Sequence, residues 1–275
     1  MKNDKVDKIG KWSEDKLEIL QKYLEAYTQI MKSQMWCKGY YYIDAFAGSG
    51  KPMVEDEERF VDGSPRRALT IKHPFTKYIF IEKVDWRINK LNTLKNEFNQ
   101  LDIEIEQGDC NDLIKQKVIP KMPFSSFKRA FIFLDPFGMN LEWSTLEQIS
   151  KPKTLETLIN FPIMAINRNV LFNSPSKITT QEREHMNKIW GNPNWETDLY
   201  PETPGLFGPQ KEKVFLSPEG LADLYIKKRL KSIFPSVSNP LIVTNSKNAP
   251  LYALIFAGHS KTACKIVNDI VKNAK

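Results

Sequence analysis

The chain has 275 residues, of which 41% are hydrophobic and 27% are charged, and its formal net charge at pH 7 is +7. An aromatic share of 11% together with this apolar content excludes a disordered chain and a coiled coil. No run of about 18 apolar residues is present to span a membrane, and the polar start predicts no secretion signal. The excess of lysine and arginine indicates a polyanionic partner such as nucleic acid, or only a lysine-rich proteome.

Residues 13–33 are the first predicted element, an amphipathic helix in which apolar side chains recur every three or four residues. Ser13 is suitably placed to cap its start. Apolar runs then predict five strands, at Tyr40–Phe46, Tyr78–Ile81, Ile103–Ile105, Ala130–Leu134 and Leu155–Phe161. Helical stretches near 64–72, 86–100, 111–119 and 142–150 separate them. Short apolar strands separated by helices predict a parallel sheet covered on both faces.

The C-terminal third predicts a different pairing. A helix begins at Ser217 and runs to about Phe234. Two strands follow, at 240–244 and 251–257, and the connection between them is too short for a crossover helix. We therefore expect an antiparallel hairpin that closes the parallel sheet.

Residues 167–216 interrupt this alternation with five prolines and one predicted helix at 180–190. Because Trp190 and Trp195 lie within it, we interpret the segment as an insertion on the substrate side of the sheet rather than a linker. These two rings are expected to close a small core. All 275 residues are then one decorated domain.

The cysteines and histidines carry little chemical signal. Cys37, Cys110 and Cys264 are widely spaced, odd in number and without metal or redox spacing. We therefore expect free thiols in a reducing, cytoplasmic compartment. The three histidines are scattered, so no metal site is predicted.

Residues 42–51, Tyr-Ile-Asp-Ala-Phe-Ala-Gly-Ser-Gly-Lys, are the most informative segment, because a strand runs directly into a glycine turn. A phosphate-binding P-loop would need glycine at position 45 and serine or threonine at 52, where Ala45 and Pro52 stand. A dinucleotide-binding fingerprint would need glycine in place of Met53. A purely structural turn remains as an alternative to the interpretation that follows.

Asp44, Phe46, Gly48 and Gly50 match, position by position, motif I of class I S-adenosylmethionine (SAM)-dependent methyltransferases, which this segment resembles. The resemblance implies that SAM is the cofactor and that the glycine turn packs against its methionine part. It also implies that Asp44 lies near the charged amino group of that cofactor. A nearby carboxylate suits a ligand that carries a sulfonium and an ammonium group.

Two later acids follow the same order. By the same resemblance, Glu82 after the second strand holds the ribose hydroxyls, and Asp109 after the third contacts the adenine amine. Asp44 and Glu82 are 38 residues apart, against about 20 in the common spacing. Residues 51–63 are therefore predicted to be an inserted loop that forms a lid over the cofactor site. The alternative is that its four consecutive acids form a solvated turn.

The segment Asp135-Pro136-Phe137-Gly138 follows the fourth strand. It resembles the (Asp/Asn)-Pro-Pro-aromatic motif of amino-methyltransferases that act on nucleobases, in the form found in tRNA dimethylguanosine methyltransferases. The second proline is missing here, and the aromatic residue comes one position early. The resemblance implies that Asp135 and the Pro136 carbonyl accept the two N–H groups of an exocyclic amine, while Phe137 stacks on the extruded base. The alternative is that Asp135 caps the next turn and Phe137 is buried.

Two weaker candidates complete the set. Residues 160–162 end the fifth strand and are candidates to wall a substrate pocket. The basic run 227–231 is expected to be a solvated helix face rather than a phosphate clamp.

Over nearly its whole length the chain resembles the bacterial three-Cys-motif partner (TcmP) family. The matching stretches are 12–24, 42–50, 63–66, 133–138 and 251–257. The resemblance implies a Rossmann-like class I methyltransferase fold with a mostly parallel seven-stranded sheet closed by an antiparallel C-terminal hairpin. It also implies a separate three-Cys-motif protein as partner, whose cysteines are not those of this chain.

The patterns together predict a SAM-dependent methyltransferase that modifies an exocyclic amine of a nucleic-acid base, with nucleic acid as its partner. The alternative is a non-catalytic subunit that keeps the fold in order to bind a three-Cys-motif companion.

Overall fold

The computed structural model describes residues 5–205 and 208–273. The helices are α1 (Trp12–Lys32), α2 (Ser64–Leu69), α3 (Asp85–Glu97), α4 (Cys110–Leu113), α5 (Trp143–Ser150), α6 (Ile163–Asn169), α7 (Thr180–Trp190), α8 (Trp195–Leu199), α9 (Pro218–Tyr225), α10 (Lys231–Ile233) and α11 (Lys261–Asn273). The strands are β1 (Lys8–Ile9), β2 (Gly39–Asp44), β3 (Met53–Val54), β4 (Arg59–Phe60), β5 (Lys77–Glu82), β6 (Ile103–Gln107), β7 (Lys128–Leu134), β8 (Leu155–Phe161), β9 (Glu202–Gly205), β10 (Gly208–Lys211), β11 (Ser236–Val237), β12 (Leu241–Thr244) and β13 (Pro250–Gly258).

The central sheet has the order β6-β5-β2-β7-β8-β13, with β11 and β12 paired to the outer edge of β13. Strands β2, β5, β6, β7 and β8 are parallel, whereas β13 runs antiparallel to β8. If the strands of this sheet are numbered by their order along the chain, and β11 and β12 are counted together as the sixth, the order across the sheet is 3-2-1-4-5-7-6. The predicted Rossmann-like class I methyltransferase fold is confirmed, including its antiparallel closing hairpin.

Over residues 5–205 and 208–273 the sheet has eight strands rather than seven, because the sixth position is divided into β11 and β12. Between them, the Ser238 amide donates to the Phe256 carbonyl, and the Ser238 hydroxyl accepts from the Phe256 amide at 3.0 Å. Pro240 has no N–H to continue the ladder. The strand is therefore interrupted without leaving its partner strand.

The predicted strands and helices agree with the observed ones to within a few residues, but the cap of α1 does not. The helix begins at Trp12, so Lys11 takes the cap position and makes no side-chain capping bond. Ser13 lies inside the first turn, where its amide donates to the Gly10 carbonyl at 2.9 Å. The prediction that Ser13 caps the helix is therefore wrong.

Two apolar cores flank the sheet. On one face α1 packs with α2, α3 and α11 around the rings of Tyr23, Tyr42 and Phe131. On the other face α4, α5, α6, α9 and the segment 167–216 share a second core. Trp190 and Trp195 are fully buried in that core, as expected.

Within the described ranges, no helix combines the length and apolar character needed to cross a membrane. The three cysteines are free thiols. No group of three potential metal ligands is found among residues 5–205 and 208–273.

Candidate active site

A cleft of about 630 Å³ opens where the parallel strands end at their carboxyl edge. Ligands of α/β proteins bind at this edge, and the volume suits a small molecule of cofactor size. The predicted site residues that line the cleft are Phe46, Gly48, Gly50, Glu82, Asp109, Asp135, Pro136 and Phe137. Asp44 belongs to the same strand end but is fully buried beneath the lining.

The glycine turn after β2 depends on left-handed backbone at two positions. Gly48 has φ +62° and Gly50 has φ +76°, a region that side chains with a Cβ rarely adopt. A Cβ at Gly50 would also lie 3.0 Å from Leu94 of α3. The turn can therefore bring its backbone close to a ligand only because both residues are glycine.

Glu82 is held in place by backbone amides at the end of β5. Its Oε1 accepts from the amides of Lys83 at 2.7 Å and Val84 at 2.9 Å, and Oε2 accepts from Gly48 at 2.9 Å. A carboxylate has about four lone-pair sites, so these bonds leave it further accepting capacity. Glu82 thus joins the ends of β2 and β5 and lines the cleft between them.

Asp44 supports the turn from beneath. Its carboxylate accepts from the Tyr42 hydroxyl at 3.0 Å and the Phe46 amide at 3.3 Å. Burial raises the pKa of Asp44 to about 7, although hydrogen bonds from Ser64 and Tyr42 oppose the rise. Its contact with a ligand stays a prediction.

Asp109 caps α4, where its Oδ1 accepts from the Asn111 amide at 2.9 Å. The other oxygen lies 3.8 Å from Lys83 Nζ, and the half-exposed side chain lines the cleft. Next to it, burial raises the pKa of the Cys110 thiol to about 12, so the thiol stays protonated at neutral pH.

The N-terminal segment covers the glycine turn, which the sequence did not indicate. Strand β1 pairs in parallel with β3, and this pairing holds Asp7 against the cleft. Asp7 Oδ2 accepts from the Ser49 amide at 2.9 Å, and Oδ1 accepts from Arg87 Nε at 2.8 Å. Asp7 lies between Val6 and Lys8 in a short segment without a motif or a sustained period, so no sequence pattern identifies it.

The predicted inserted loop 51–63 contains the β3–β4 hairpin. Its base, at Pro52 and Gly63, lines the cleft. Its four acids, residues 55–58, are exposed at the tip, where Glu55 pairs with Lys8 at 3.4 Å. The acids therefore form a solvated turn, and closure of the loop as a lid stays a prediction.

Asp135 is surrounded by side chains from distant parts of the chain. Its Oδ2 accepts from Lys16 Nζ at 2.5 Å, and its Oδ1 accepts from Asn160 Nδ2 at 2.5 Å. Lys16 is only 7% exposed, and its Nζ lies 5.1 Å from the centroid of the Tyr252 ring. The acidic group of this loop is thus part of a partly buried ion pair.

Phe137 is 91% exposed and lines the cleft. Its carbonyl accepts from Asn140 Nδ2 at 2.5 Å, which fixes the backbone of the loop. The alternative of a buried Phe137 is therefore wrong. The alternative role of Asp135 as a turn cap is also wrong, because the two bonds it accepts come from Lys16 and Asn160.

The sequence carried one unused signal for this part of the site. Lys16 lies four residues before Leu20 and seven before Tyr23, in line with the apolar stripe of α1. A lysine on a buried stripe needs a buried partner, and this position could have been identified. Tyr252 had no such signal, because its exposure to the cleft depends on how β13 sits in the sheet.

Two polar atoms beside Asp135 have no hydrogen-bond partner within the described structure. They are the Asn160 side-chain oxygen and the Tyr252 hydroxyl, and both residues line the cleft. Buried polar groups are normally paired, so unpaired ones at a cleft are available to a ligand. The prediction that residues 160–162 wall the pocket agrees with this position.

The segment 167–216 lies behind the Asp135 loop. Ile189 of α7 and Tyr225 line a small cavity that reaches Pro136 and Gly138. A direct contact of this segment with substrate stays a prediction. In the adjoining run 227–231, Lys228 pairs with Asp198 at 2.8 Å, so part of its charge is used within the fold.

No protein-family model matches this chain, and no curated protein matches it in sequence. Among solved structures, protein LPL1258 from Legionella pneumophila str. Philadelphia 1 (family-model DUF519) is 12% identical, with 93% of this chain and 91% of that chain covered at a TM-score of 0.51. The O-methyltransferase from Bacillus cereus, in complex with SAH, is 14% identical, with 88% and 80% covered at a TM-score of 0.44. The N-terminal domain of EvdMO1 with SAH bound is 9% identical, with 86% and 79% covered at a TM-score of 0.40.

The fold is established by the strand order and by the likeness to the Legionella protein. The chain has the Rossmann-like fold of class I methyltransferases. Membership of the TcmP family stays a prediction.

Proposed function

We propose that this protein is a cytoplasmic SAM-dependent methyltransferase that transfers a methyl group to an exocyclic amine of a nucleic-acid base. One observation carries the proposal: the exposed Asp135-Pro136-Phe137 loop and the glycine turn line the same cleft. A methyl donor and its acceptor must meet within a few ångströms, so both elements are needed in one cavity.

The cofactor half of the cleft fits SAM by its donor set. Glu82 retains accepting capacity for ribose hydroxyls, and Asp109 Oδ2 is available to an amine. The Ser49 hydroxyl is buried at the glycine turn without a partner in the described structure, so a ligand's polar group can pair with it. When bound, SAM supplies a methyl group activated by a positively charged sulfur.

The acceptor half fits a planar base that carries an amine. Such an amine is a poor nucleophile because its lone pair is delocalised into the ring, and accepting its N–H groups directs the lone pair outward. Asp135 and the Pro136 carbonyl are the acceptors we assign, and the exposed Phe137 ring provides the stacking surface. No covalent nucleophile is required, because the residues act by orienting the amine.

Titration calorimetry with SAM, followed by transfer of labelled methyl groups to RNA and DNA, tests the proposal. Wild-type protein is expected to bind SAM and to produce a methylated base that nucleoside mass spectrometry identifies. Asp135→Ala is expected to lower the rate of transfer at least about 100-fold, because the amine is no longer oriented, while SAM binding is retained. A fully active Asp135→Ala variant would refute the assignment of this carboxylate.

A second candidate function is that of a non-catalytic partner subunit for a three-Cys-motif protein, as the TcmP resemblance implies. The observation that favours it is the pairing of both Asp135 oxygens with Lys16 and Asn160. A substrate amine would have to share or displace these contacts. Calorimetry separates the two functions, because absence of SAM binding by the pure protein supports the partner role.

A further inference from the structure

A second surface of the protein lies at the opposite end of the sheet from the cleft. It is formed where β2 and β7 begin, by the loops 33–38 and 123–127. The Lys38 amide donates to the Phe127 carbonyl at 2.9 Å, which joins the two loops. These residues take no part in the cleft.

Four apolar side chains are exposed together on this surface: Met35, Trp36, Phe124 and Phe127, which we call the aromatic patch. Met35 is fully exposed, Trp36 is 44% exposed, Phe124 is 61% exposed and Phe127 is 46% exposed. Large apolar groups clustered on a surface mark binding sites, since scattered single exposures are the normal condition.

Cations are interleaved with these rings. The Arg129 guanidinium lies 4.4 Å from the Trp36 ring centroid and 5.1 Å from that of Phe124. Lys38 Nζ lies 5.5 Å from the Phe127 centroid. Lys128 Nζ lies 5.4 Å from the ring of the adjoining Tyr41. The charges are therefore held at the surface beside the rings.

Lys38 and Lys128 have no carboxylate within ion-pair distance in the described part of the chain. Arg129 has none at that distance either, but its charge acts on the buried Glu156 carboxyl and opposes the rise in pKa that burial causes there. The neighbouring edge of the sheet differs, because Lys77 and Lys121 both pair with Glu104 there. Unpaired positive charge is thus concentrated at the aromatic patch.

We propose that the aromatic patch binds single-stranded nucleic acid. Rings that stack on unpaired bases and cations that contact the phosphates are the two elements such binding requires. The rings, Met35 and Arg129 would also suit a protein interface, but lysine is depleted at such interfaces, so the exposed charges of Lys38 and Lys128 favour a polyanion over a protein partner. A second copy of this chain would bring like charges together, which costs free energy.

The inference rests on the proposed nucleic-acid substrate and extends it. Strand β2 spans six residues, or about 20 Å, between the patch and the cleft. The path over the surface is longer, because helices cover both faces of the sheet, so one nucleic-acid strand reaches both sites only if it passes around the domain. The patch would hold the sequence that flanks the modified base.

Fluorescence anisotropy with labelled rU12, without SAM, tests the proposal. Trp36→Ala and Phe124→Ala are each expected to weaken binding about 5- to 100-fold, because each removes a stacking surface. Lys38→Gln and Lys128→Gln are each expected to lower the slope of log K against log salt concentration by about 0.7. Lys265→Gln, which changes an exposed residue of α11 outside the patch and the cleft, serves as the matched control for the lysine variants.

Patch variants that bind rU12 as tightly as the control does would overturn the proposal. Wild-type protein that fails to bind rU12 would overturn it as well, and self-association in sedimentation that is lost in Trp36→Ala would then identify a second copy of the chain as the occupant. Urea unfolding of each variant distinguishes a loss of rU12 binding from a loss of folding. The anisotropy assay does not depend on methyl transfer. Protein that binds rU12 through the patch but methylates no nucleic acid in the transfer assay would therefore reject only the proposed function.

Discussion

The two halves of the cleft are held together by different means. On the glycine-turn side, Glu82 is fixed by three backbone amides from positions 48, 83 and 84. On the other side, Asp135 is fixed by the side chains of Lys16 and Asn160, which come from α1 and β8. The first half is built mainly from strand ends and their turns, over which Asp7 and Arg87 pair, whereas the second is built from side chains far apart in the sequence.

This difference determines how each half responds to substitution. Backbone amides stay in place when neighbouring side chains change, so the first half depends mainly on its glycine conformations. The Lys16–Asp135 ion pair is more sensitive to substitution, because removal of either partner leaves the other charge poorly solvated. The acceptor half should therefore be the more sensitive one.

The largest expected effect comes from Lys16→Met. It leaves the Asp135 carboxylate without its cation, and we expect the free energy of unfolding to fall by about 3 kcal/mol. Urea denaturation measures the loss. Asp135→Asn in the same protein removes the orphaned charge, so the double variant should be more stable than the sum of the two single losses predicts. Strictly additive losses would show that the pair contributes no coupling.

The next effect distinguishes the two glycines of the turn. Both Gly48→Ala and Gly50→Ala impose a left-handed backbone on alanine, at a cost of about 1–2 kcal/mol each. Gly50→Ala should cost more, because its Cβ would meet Leu94 at 3.0 Å, whereas the Cβ at Gly48 has its nearest neighbour, Asp7, at 3.5 Å. Thermal denaturation of both variants measures the difference. Equal losses of stability in the two variants would mean that Leu94 of α3 moves to make room for the new methyl group.

The third effect is a dependence on pH rather than the cost of one substitution. Burial raises the pKa of Asp44 from 3.8 to about 7, and that of Glu156 from 4.5 to about 7, so the folded protein retains protons that the unfolded chain has released. The free energy of unfolding should therefore fall as pH rises from about 4 to 7, by at most about 1.4 kcal/mol per pH unit for each group. Urea denaturation between pH 4 and 8 measures the slope. Asp44→Asn and Glu156→Gln should each reduce this slope. An unchanged slope in both variants would show that the protons retained on folding are not held by these two carboxyl groups.

Much of the fold could be predicted because its signals are local. The run Leu155–Phe161 is a strand with the predicted bounds, and Thr180–Trp190 is a helix with the predicted bounds. Motif order along parallel strands also indicated that Glu82, Asp109 and Asp135 would meet, since carboxyl ends of parallel strands share one edge. Ser13 does not cap α1, although serine is a favoured cap residue, because the backbone already turns at Gly10 and the helix begins one residue earlier.

The sequence by itself determined the positions of the main strands and helices, the glycine turn and the placement of Asp135 at a strand end, since each depends on short segments with a characteristic period or spacing. Only the tertiary structure decided that Lys16 pairs with Asp135, that Asp7 covers the glycine turn, and that rings from two loops form one patch. Such contacts join residues up to 119 positions apart. They depend on how α1 and the loops pack against the sheet, which no local pattern specifies.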